Sequence, residues 1–186
     1  HMHLHDPYFN RMLNKSPFRE LAEMLLDGEV VPKNAQYLCK PPQTGQATPP
    51  HQDGYYFMIE PVEGLTMWIG MDHADEENGC LRYVKGSHRL GLRPHSRTQT
   101  LGFSQGITDF GTEGDLTNEK AYTASPGDVL AHHALAIHRA DSNRSIDRPR
   151  RAIGLVYLSS CAKERTEELS EYRRKLADDL TSKGRI

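Results

Sequence analysis

The chain is short of several things at once, and each shortage removes a class of function. It holds three cysteines, Cys39, Cys80 and Cys161, too scattered and odd in number for a disulfide framework. They read instead as small, buried, strand-borne thiols in a reducing, cytoplasmic compartment. Charge of either sign is not in excess: the formal net charge is −2, which gives no basis for nucleic acid or an anionic membrane as partner. No apolar run approaches the roughly 20 residues that cross a bilayer, and no leader peptide is read ahead of the first helical segment. Low-complexity tracts and internal repeats are missing as well. With 37% hydrophobic and 26% charged residues, the 186-residue chain suits one compact domain with a core of its own.

Histidine is plentiful, ten in all, and where those residues fall depends on the elements that carry them. Asp6-Pro7 and Ser16-Pro17 each place a capping residue before a proline at a first helical position. Phe18, Leu21, Ala22 and Leu25 follow at helical spacing, with Gly28 as the stop, so residues 5–28 read as helical. The period then changes. Segments 35–40, 51–58, 65–71, 80–84, 128–132 and 150–159 are short, aromatic or β-branched, and bounded by Pro, Gly, Asn or Asp. A connection from Arg89 to Lys120 with five glycines reads as a lid or binding loop. Residues 163–182 return to helix with a charged, solvated face. Many short strands without βαβ alternation, and helices only at the ends, predict a mainly β fold. The specific expectation is a jelly roll, or double-stranded β-helix: one domain over 1–186, its core over 30–160.

The chemistry concentrates in two regions. In His51-Gln52-Asp53, residues two apart on a strand project from one face, so an imidazole and a carboxylate point into the same space while Gln52 faces away. Alone this pair is common, and a surface histidine beside a turn aspartate explains it as well. The second region is Pro126-Gly127-Asp128 leading through His132-His133 to His138, with Arg150 opening an apolar strand 12 residues later. A second histidine would complete a face of two nitrogens and one carboxylate. An arginine fork on a neighbouring strand suits the far carboxylate of a metal-chelating keto diacid. Arg150 and Arg151 point to opposite faces of a regular strand, so only one can serve.

In order and spacing these residues resemble the phytanoyl-CoA dioxygenase family of Fe(II)/2-oxoglutarate oxygenases. The resemblance runs from Gln36 to Tyr157 through Lys40-Pro41-Pro42, His51-Gln52-Asp53-Gly54, Trp68, Asn78-Gly79-Cys80-Leu81, Gly86-Ser87-His88, Gly127-Asp128, His138, Asn143 and Arg150-Arg151-Ala152-Ile153. It implies His51, Asp53 and His138 as iron ligands, Arg150 as the partner of the 2-oxoglutarate C5 carboxylate, and Trp68 and Gln36 as co-substrate pocket walls. The implied cofactors are Fe(II), 2-oxoglutarate and O2. The implied activity is hydroxylation of a small-molecule substrate with release of succinate and CO2. The chain departs from the family at two places. Ala140 stands where relatives often carry a co-substrate-binding serine. The chain also reads as lacking the N-terminal segment in which relatives carry a co-substrate-contacting lysine. Related halogenases replace the carboxylate with Ala or Gly, so Asp53 favours hydroxylation.

Further candidates stand beside plainer readings. His88 either braces its turn or touches substrate. Tyr55, on the expected His51/Asp53 face, is a pocket candidate. Arg82, Lys85, Arg89 and Arg93 form either a solvated face or an anion-attracting cluster. Two other functions fit less well: a non-catalytic or regulatory metal-binding jelly roll, and a cupin-type enzyme without 2-oxoglutarate, which would leave Arg150 unexplained.

Overall fold

The computed structural model describes residues 1–98 and 105–182. Residues 99–104, part of the expected lid, lie outside the described residues. Two helices open the chain, α1 (Pro7–Asn14) and α2 (Pro17–Leu25). The expected caps form: Asp6 accepts from the Tyr8 amide at 2.7 Å and Ser16 from the Phe18 amide at 3.3 Å. Because Ser16 serves as a cap, residues 5–28 make two helices and not one. Gly28 is not the left-handed stop either; Asp27, with φ 51°, takes that conformation.

Eight strands follow: β1 (Val30–Lys40), β2 (Thr48–His51), β3 (Gly64–Gly70), β4 (Leu81–Val84), β5 (Glu119–Tyr122), β6 (Val129–His133), β7 (His138–Ala140) and β8 (Arg150–Ser159). They form two four-stranded antiparallel sheets, ordered β1-β8-β3-β6 and β2-β7-β4-β5, packed as a jelly roll. β2 carries Pro49 and Pro50 yet stays in the sheet because it is an edge strand, where a missing amide donor is tolerated. Two short helices, α3 (Asp53–Phe57) and α4 (Glu113–Asn118), lie between strands, and a longer one, α5 (Thr166–Ser182), follows the last strand. Residues 163–164, expected to be helical, pair instead with Ile59–Glu60. The segment from Arg89 to Lys120 is not a bare loop. It holds a small hairpin pairing His95–Arg97 with Gln105–Ile107, and then α4, closed by a reciprocal Thr112/Asp115 capping box.

The first sheet has two faces with different work. Ala35, Leu65, Met67, Ile69, Leu155 and Tyr157 point outward and are buried under α1 and α2, against Leu13 and Ala22. The Tyr157 hydroxyl ties the layers by donating to the Leu13 carbonyl at 3.0 Å. Each fully buried large side chain here contributes about 1.5–3 kcal/mol. The alternate residues face the space between the sheets: Gln36, Leu38 and Lys40 on β1, Arg150, Ala152 and Gly154 on β8, Thr66 and Trp68 on β3. The ladder puts Gln36 opposite Gly154, and Gly154 opposite Trp68. A Cβ on Gly154 would meet Gln36 Cγ at 3.3 Å, so the glycine makes room for the Gln36 side chain lying over it. The cysteines follow no single pattern: Cys80 is buried, but Cys39 and Cys161 are exposed, because Cys39 lies on the outward face of β1 beyond the helices and Cys161 in a turn after β8.

Candidate metal centre

His51 ends β2 and His138 begins β7, and the two stand directly opposite each other in the ladder, their rings 4.1 Å apart. Asp53 reaches them by a different route from the expected one. The chain leaves β2 at Gln52 and turns at once into α3, so Asp53 is the first residue of a helix and not two places along a strand. Gly54 makes that turn possible: its amide donates to the Ala134 carbonyl at 2.8 Å, and a Cβ there would stand 2.4 Å from Val62 Cγ1. Gln52 does face away from the site, but it is fully buried. Its amide nitrogen donates to the carbonyls of Gly91 (2.9 Å) and Leu135 (2.8 Å), and its oxygen accepts from the Arg93 amide at 2.8 Å. Gln52 thereby latches the turn to the loops around it.

One donor atom from each of His51, Asp53 and His138 lies within 4.8 Å of the other two. The Nε2 atoms of His51 and His138 stand 3.5 and 3.7 Å from Asp53 Oδ1. Each Nδ1 faces a carbonyl, that of Pro49 at 2.8 Å and of Ala136 at 3.0 Å. A carbonyl only accepts, so Nδ1 carries the proton and each Nε2 turns a lone pair inward. Burial, with His51 and His132 adding to it, pushes the His138 imidazole well below its ordinary range, so it is neutral. Burial pushes Asp53 the other way, but His138, His132 and His51 together outweigh it and hold the carboxyl well below the usual carboxylate range. Two imidazoles and one carboxylate on one side of a buried space make a donor set that suits a divalent ion such as Fe(II).

The outer oxygen of Asp53 is also fixed. Oδ2 accepts from Thr66 Oγ1 at 2.6 Å and from His132 Nε2 at 3.1 Å. With Nε2 donating, His132 Nδ1 accepts from the Tyr83 hydroxyl at 2.9 Å. Burial, then the Asp53 charge, push the Tyr83 phenol up, so it keeps its proton. Thr66, Tyr83 and His132 were not singled out from the sequence. Only His132 left a trace there, as one of two adjacent histidines on a strand whose alternation turns one of them inward.

Below this layer Arg150 is 5% exposed, with its guanidinium carbon 5.5 Å from the Trp68 ring centre. Trp68 lies two residues along β3 from Thr66, about 7 Å at ordinary strand rise. Arg150 Nε and Trp68 Nε1 are both buried without a hydrogen-bond partner. Each such donor costs about 1–3 kcal/mol, so two in one lumen call for an acceptor between them. Arg151 points outward and forms a double-bonded pair with Asp72 at 2.8 and 2.7 Å. Gln36, Trp68 and Arg150 thus share one face of the first sheet, with Arg150 against Trp68, and Arg151 lies on the other.

A match to the family model "Phytanoyl-CoA dioxygenase" covers residues 1–152. The chain belongs to the phytanoyl-CoA dioxygenase family. Among its relatives, the phytanoyl-CoA dioxygenase domain-containing protein 1 homolog of Caenorhabditis briggsae is 29% identical over 157 residues, covering 81% of this chain and 54% of the relative. The peroxisomal phytanoyl-CoA dioxygenase of Bos taurus is 32% identical over 125 residues, 62% of this chain and 36% of the relative. The chain spans about half the length of the first-named relative. Among solved structures, EvdO2 of Micromonospora carbonacea var. aurantiaca complexed with 2-oxoglutarate is 31% identical, with TM-score 0.70, over 85% of this chain and 65% of that one. The epimerase SnoN from nogalamycin biosynthesis, in complex with Fe3+, alpha ketoglutarate and nogalamycin RO, is 26% identical with TM-score 0.73, over 87% and 62%.

Within this phytanoyl-CoA dioxygenase fold the weaker candidates sort differently from expectation. Tyr55 sits on α3, not on a strand face, and stacks on His95 at 4.3 Å. Its neighbour Tyr56 packs edge-on against His51 at 5.9 Å and donates to the Gln105 carbonyl at 2.7 Å. In the Gly86-Ser87-His88 turn, Ser87 is the brace: its hydroxyl donates to the Val84 carbonyl at 2.7 Å and accepts from the Ile137 amide at 2.8 Å. His88 is exposed and stands with Lys85, Tyr122, Tyr83, His132 and His133 around a cleft of about 490 Å³ between β4/β5 and β6. Arg82 and Arg93 form no common basic cluster, since Arg82 is paired with Glu76 and Asp141 and Arg93 with Asp109 and Asp115. Ala140 is buried beside Trp68 and offers no hydroxyl to the lumen.

Proposed function

We propose that the chain is an Fe(II)- and 2-oxoglutarate-dependent oxygenase that hydroxylates a small organic substrate. One observation carries this reading. Three donor atoms of His51, Asp53 and His138 meet at one point, and two unpartnered buried donors, Trp68 Nε1 and Arg150 Nε, stand on the same sheet face as Thr66, which holds Asp53. EvdO2 with 2-oxoglutarate and SnoN with iron and alpha ketoglutarate support it by likeness.

In this reading His51, Asp53 and His138 would hold the iron, and a metal bound by only three protein groups could also take the keto acid and O2. The metal and co-substrate supply the oxidising chemistry, with loss of CO2, formation of succinate and transfer of one oxygen to substrate. The protein's own residues do the rest. Arg150 anchors the distal carboxylate with its planar fork, and Trp68 Nε1 gives a second donor. Gln36 walls the same lumen. Leu38, Leu81, Leu130 and Ala152 keep it apolar, which strengthens those polar contacts. Thr66 and His132 hold the outer oxygen of Asp53, leaving Oδ1 for the metal. Substrate enters through the cleft edged by His88, Lys85 and Tyr122, whose inner wall is Tyr83 and His132.

Asp53 favours hydroxylation among the oxidations open to this site, because all three protein positions at the metal are filled. The test is anaerobic addition of Fe(II) and then 2-oxoglutarate, followed by a metabolite panel scored for substrate-dependent succinate release. The reading expects the weak visible absorption of a chelated keto acid, lost in Asp53→Ala, and succinate release with some panel member. A protein that binds metal but never shows that absorption is a metal-binding jelly roll without this chemistry.

A further inference from the structure

Lys40 is the last residue of β1 and stands directly opposite Arg150 in the β1/β8 ladder. Opposed residues of an antiparallel pair project from the same face. Gln36, Leu38 and Lys40 therefore descend the lumen side of β1 as Gly154, Ala152 and Arg150 do on β8. Lys40 and Arg150 are each 5% exposed. Buried cations are ordinarily matched by carboxylates, yet among the described residues neither forms an ion pair. The Lys40 amine donates only to the Gln46 carbonyl. The acid that acts on Lys40 from nearby, Asp141, is already held by Arg82 at 2.8 Å and Arg139 at 2.6 Å.

The surroundings of Lys40 are built. A Cβ on Gly79 would lie 3.2 Å from Lys40 Cδ, and one on Gly45 would lie 2.8 Å from Lys40 Cβ, so two glycines make room for its stem. The Asn143 amide holds the Lys40 carbonyl at 2.9 Å. We infer that Lys40 is a second cationic group of the co-substrate pocket, binding the distal carboxylate together with Arg150. This rests on the 2-oxoglutarate reading of the site and adds to it a selectivity device: two adjacent positive side chains at the far end of the lumen demand a diacid.

The charge balance supports it. Burial, then repulsion from Arg150, bring the Lys40 ammonium down to about 7, with Asp141 pulling it part of the way back. Burial likewise lowers Arg150 to about 10. The groups facing Lys40 are Arg150 from β8, Asp141 beyond β7 and the neutral Gln46 carbonyl from the β1–β2 connection. An arriving carboxylate is the anion this set lacks, and its binding at pH 8 draws a proton onto Lys40.

The test is calorimetric titration of Mn(II)-loaded protein at pH 8 with 2-oxoglutarate, and with 2-oxobutyrate, which keeps the keto acid but has no distal carboxylate. The wild type should prefer 2-oxoglutarate and take up protons on binding it, read from buffers of different ionisation enthalpy. Lys40→Gln keeps a donor for Gln46 but loses the charge. It should weaken 2-oxoglutarate about tenfold or more, leave 2-oxobutyrate within about twofold, and abolish the proton uptake, while Lys40→Arg restores most of the affinity. Equal weakening of both keto acids in Lys40→Gln, or of neither, overturns the inference and makes Lys40 a structural residue. A wild type that does not distinguish the two keto acids overturns the underlying 2-oxoglutarate reading as well.

Discussion

Replacing Thr66 with Val removes one hydrogen bond and almost no volume, which makes it a sharp probe of how the metal carboxylate is held. Thr66 is 8% exposed and its hydroxyl donates to Asp53 Oδ2 at 2.6 Å. A hydrogen bond to a charged acceptor contributes about 1.5–3 kcal/mol, of which the buried methyl of Val restores part. The His132 contact at 3.1 Å remains, so Asp53 is not abandoned, but its outer oxygen is held from one side only. The carboxylate then gains freedom to swing both oxygens toward the metal or away from it. Loss of one such outer partner typically lowers metal affinity about 10- to 100-fold, or about 1.4–2.8 kcal/mol. The assay is competition for Mn(II) against a chelator at pH 7.5, where Asp53 is ionised in both proteins. His132→Phe should act in the same direction. Because both donors serve one oxygen, the double variant should depart from additivity by about 0.5 kcal/mol or more. Mn(II) affinity unchanged within about twofold in both single variants would refute the claim that these residues orient the ligand.

Gly54→Ala should destabilise the protein by about 1–3 kcal/mol, since its Cβ collides with Val62, and lower the melting temperature by about 2–10 °C in a thermal scan. Arg150→Ala should weaken 2-oxoglutarate at least about 30-fold in calorimetry while leaving Mn(II) affinity within about threefold, since the guanidinium serves the far carboxylate and not the metal. The pH dependence of the ligand-free protein has a definite sign. Lys40 is lowered to about 7 in the fold from an ordinary value near 10.5, so between those values the unfolded chain binds more protons. Its contribution to stability is present in full above pH 10.5, declines as pH falls, and is lost below 7. Between pH 7.5 and 8.5 the wild type should gain up to about 1.4 kcal/mol relative to Lys40→Gln, read as a melting temperature that rises more steeply with pH. Parallel melting curves for the two proteins over that interval would contradict this.

The jelly roll was legible because most strands announce themselves: 65–71, 80–84 and 150–159 lie within a residue of the observed boundaries, each bounded by turn-forming residues. β5 and β7 were not, since four and three residues are too few to show a period, and the expected strand 51–58 is strand only at His51. α3 was missed for a different reason. Asp53-Gly54-Tyr55-Tyr56-Phe57 is poor in helix formers and rich in strand formers, and the helix is imposed from outside by the Gly54–Ala134 bond and the closeness of Val62. The triad survived that error because a turn of helix and a step of strand both bring Asp53 beside His51. Thr66 and Tyr83 carry no local signature. A threonine or tyrosine on an alternating strand is ordinary, and which carboxylate it meets is decided by cross-strand register. Lys40 lay inside a quoted motif, Lys40-Pro41-Pro42, but its role rests on facing Arg150, which only the ladder reveals.

The account stands on one ion shared by three side chains distant in the chain. A crystal structure of the protein with Mn(II) and 2-oxoglutarate, with anomalous scattering to locate the metal, addresses that directly. It should place one ion in contact with His51 Nε2, Asp53 Oδ1 and His138 Nε2, and the far end of the co-substrate on the Arg150 guanidinium. An ion bound without His138, or a keto acid lying away from Arg150 and Trp68, would contradict the account at its centre.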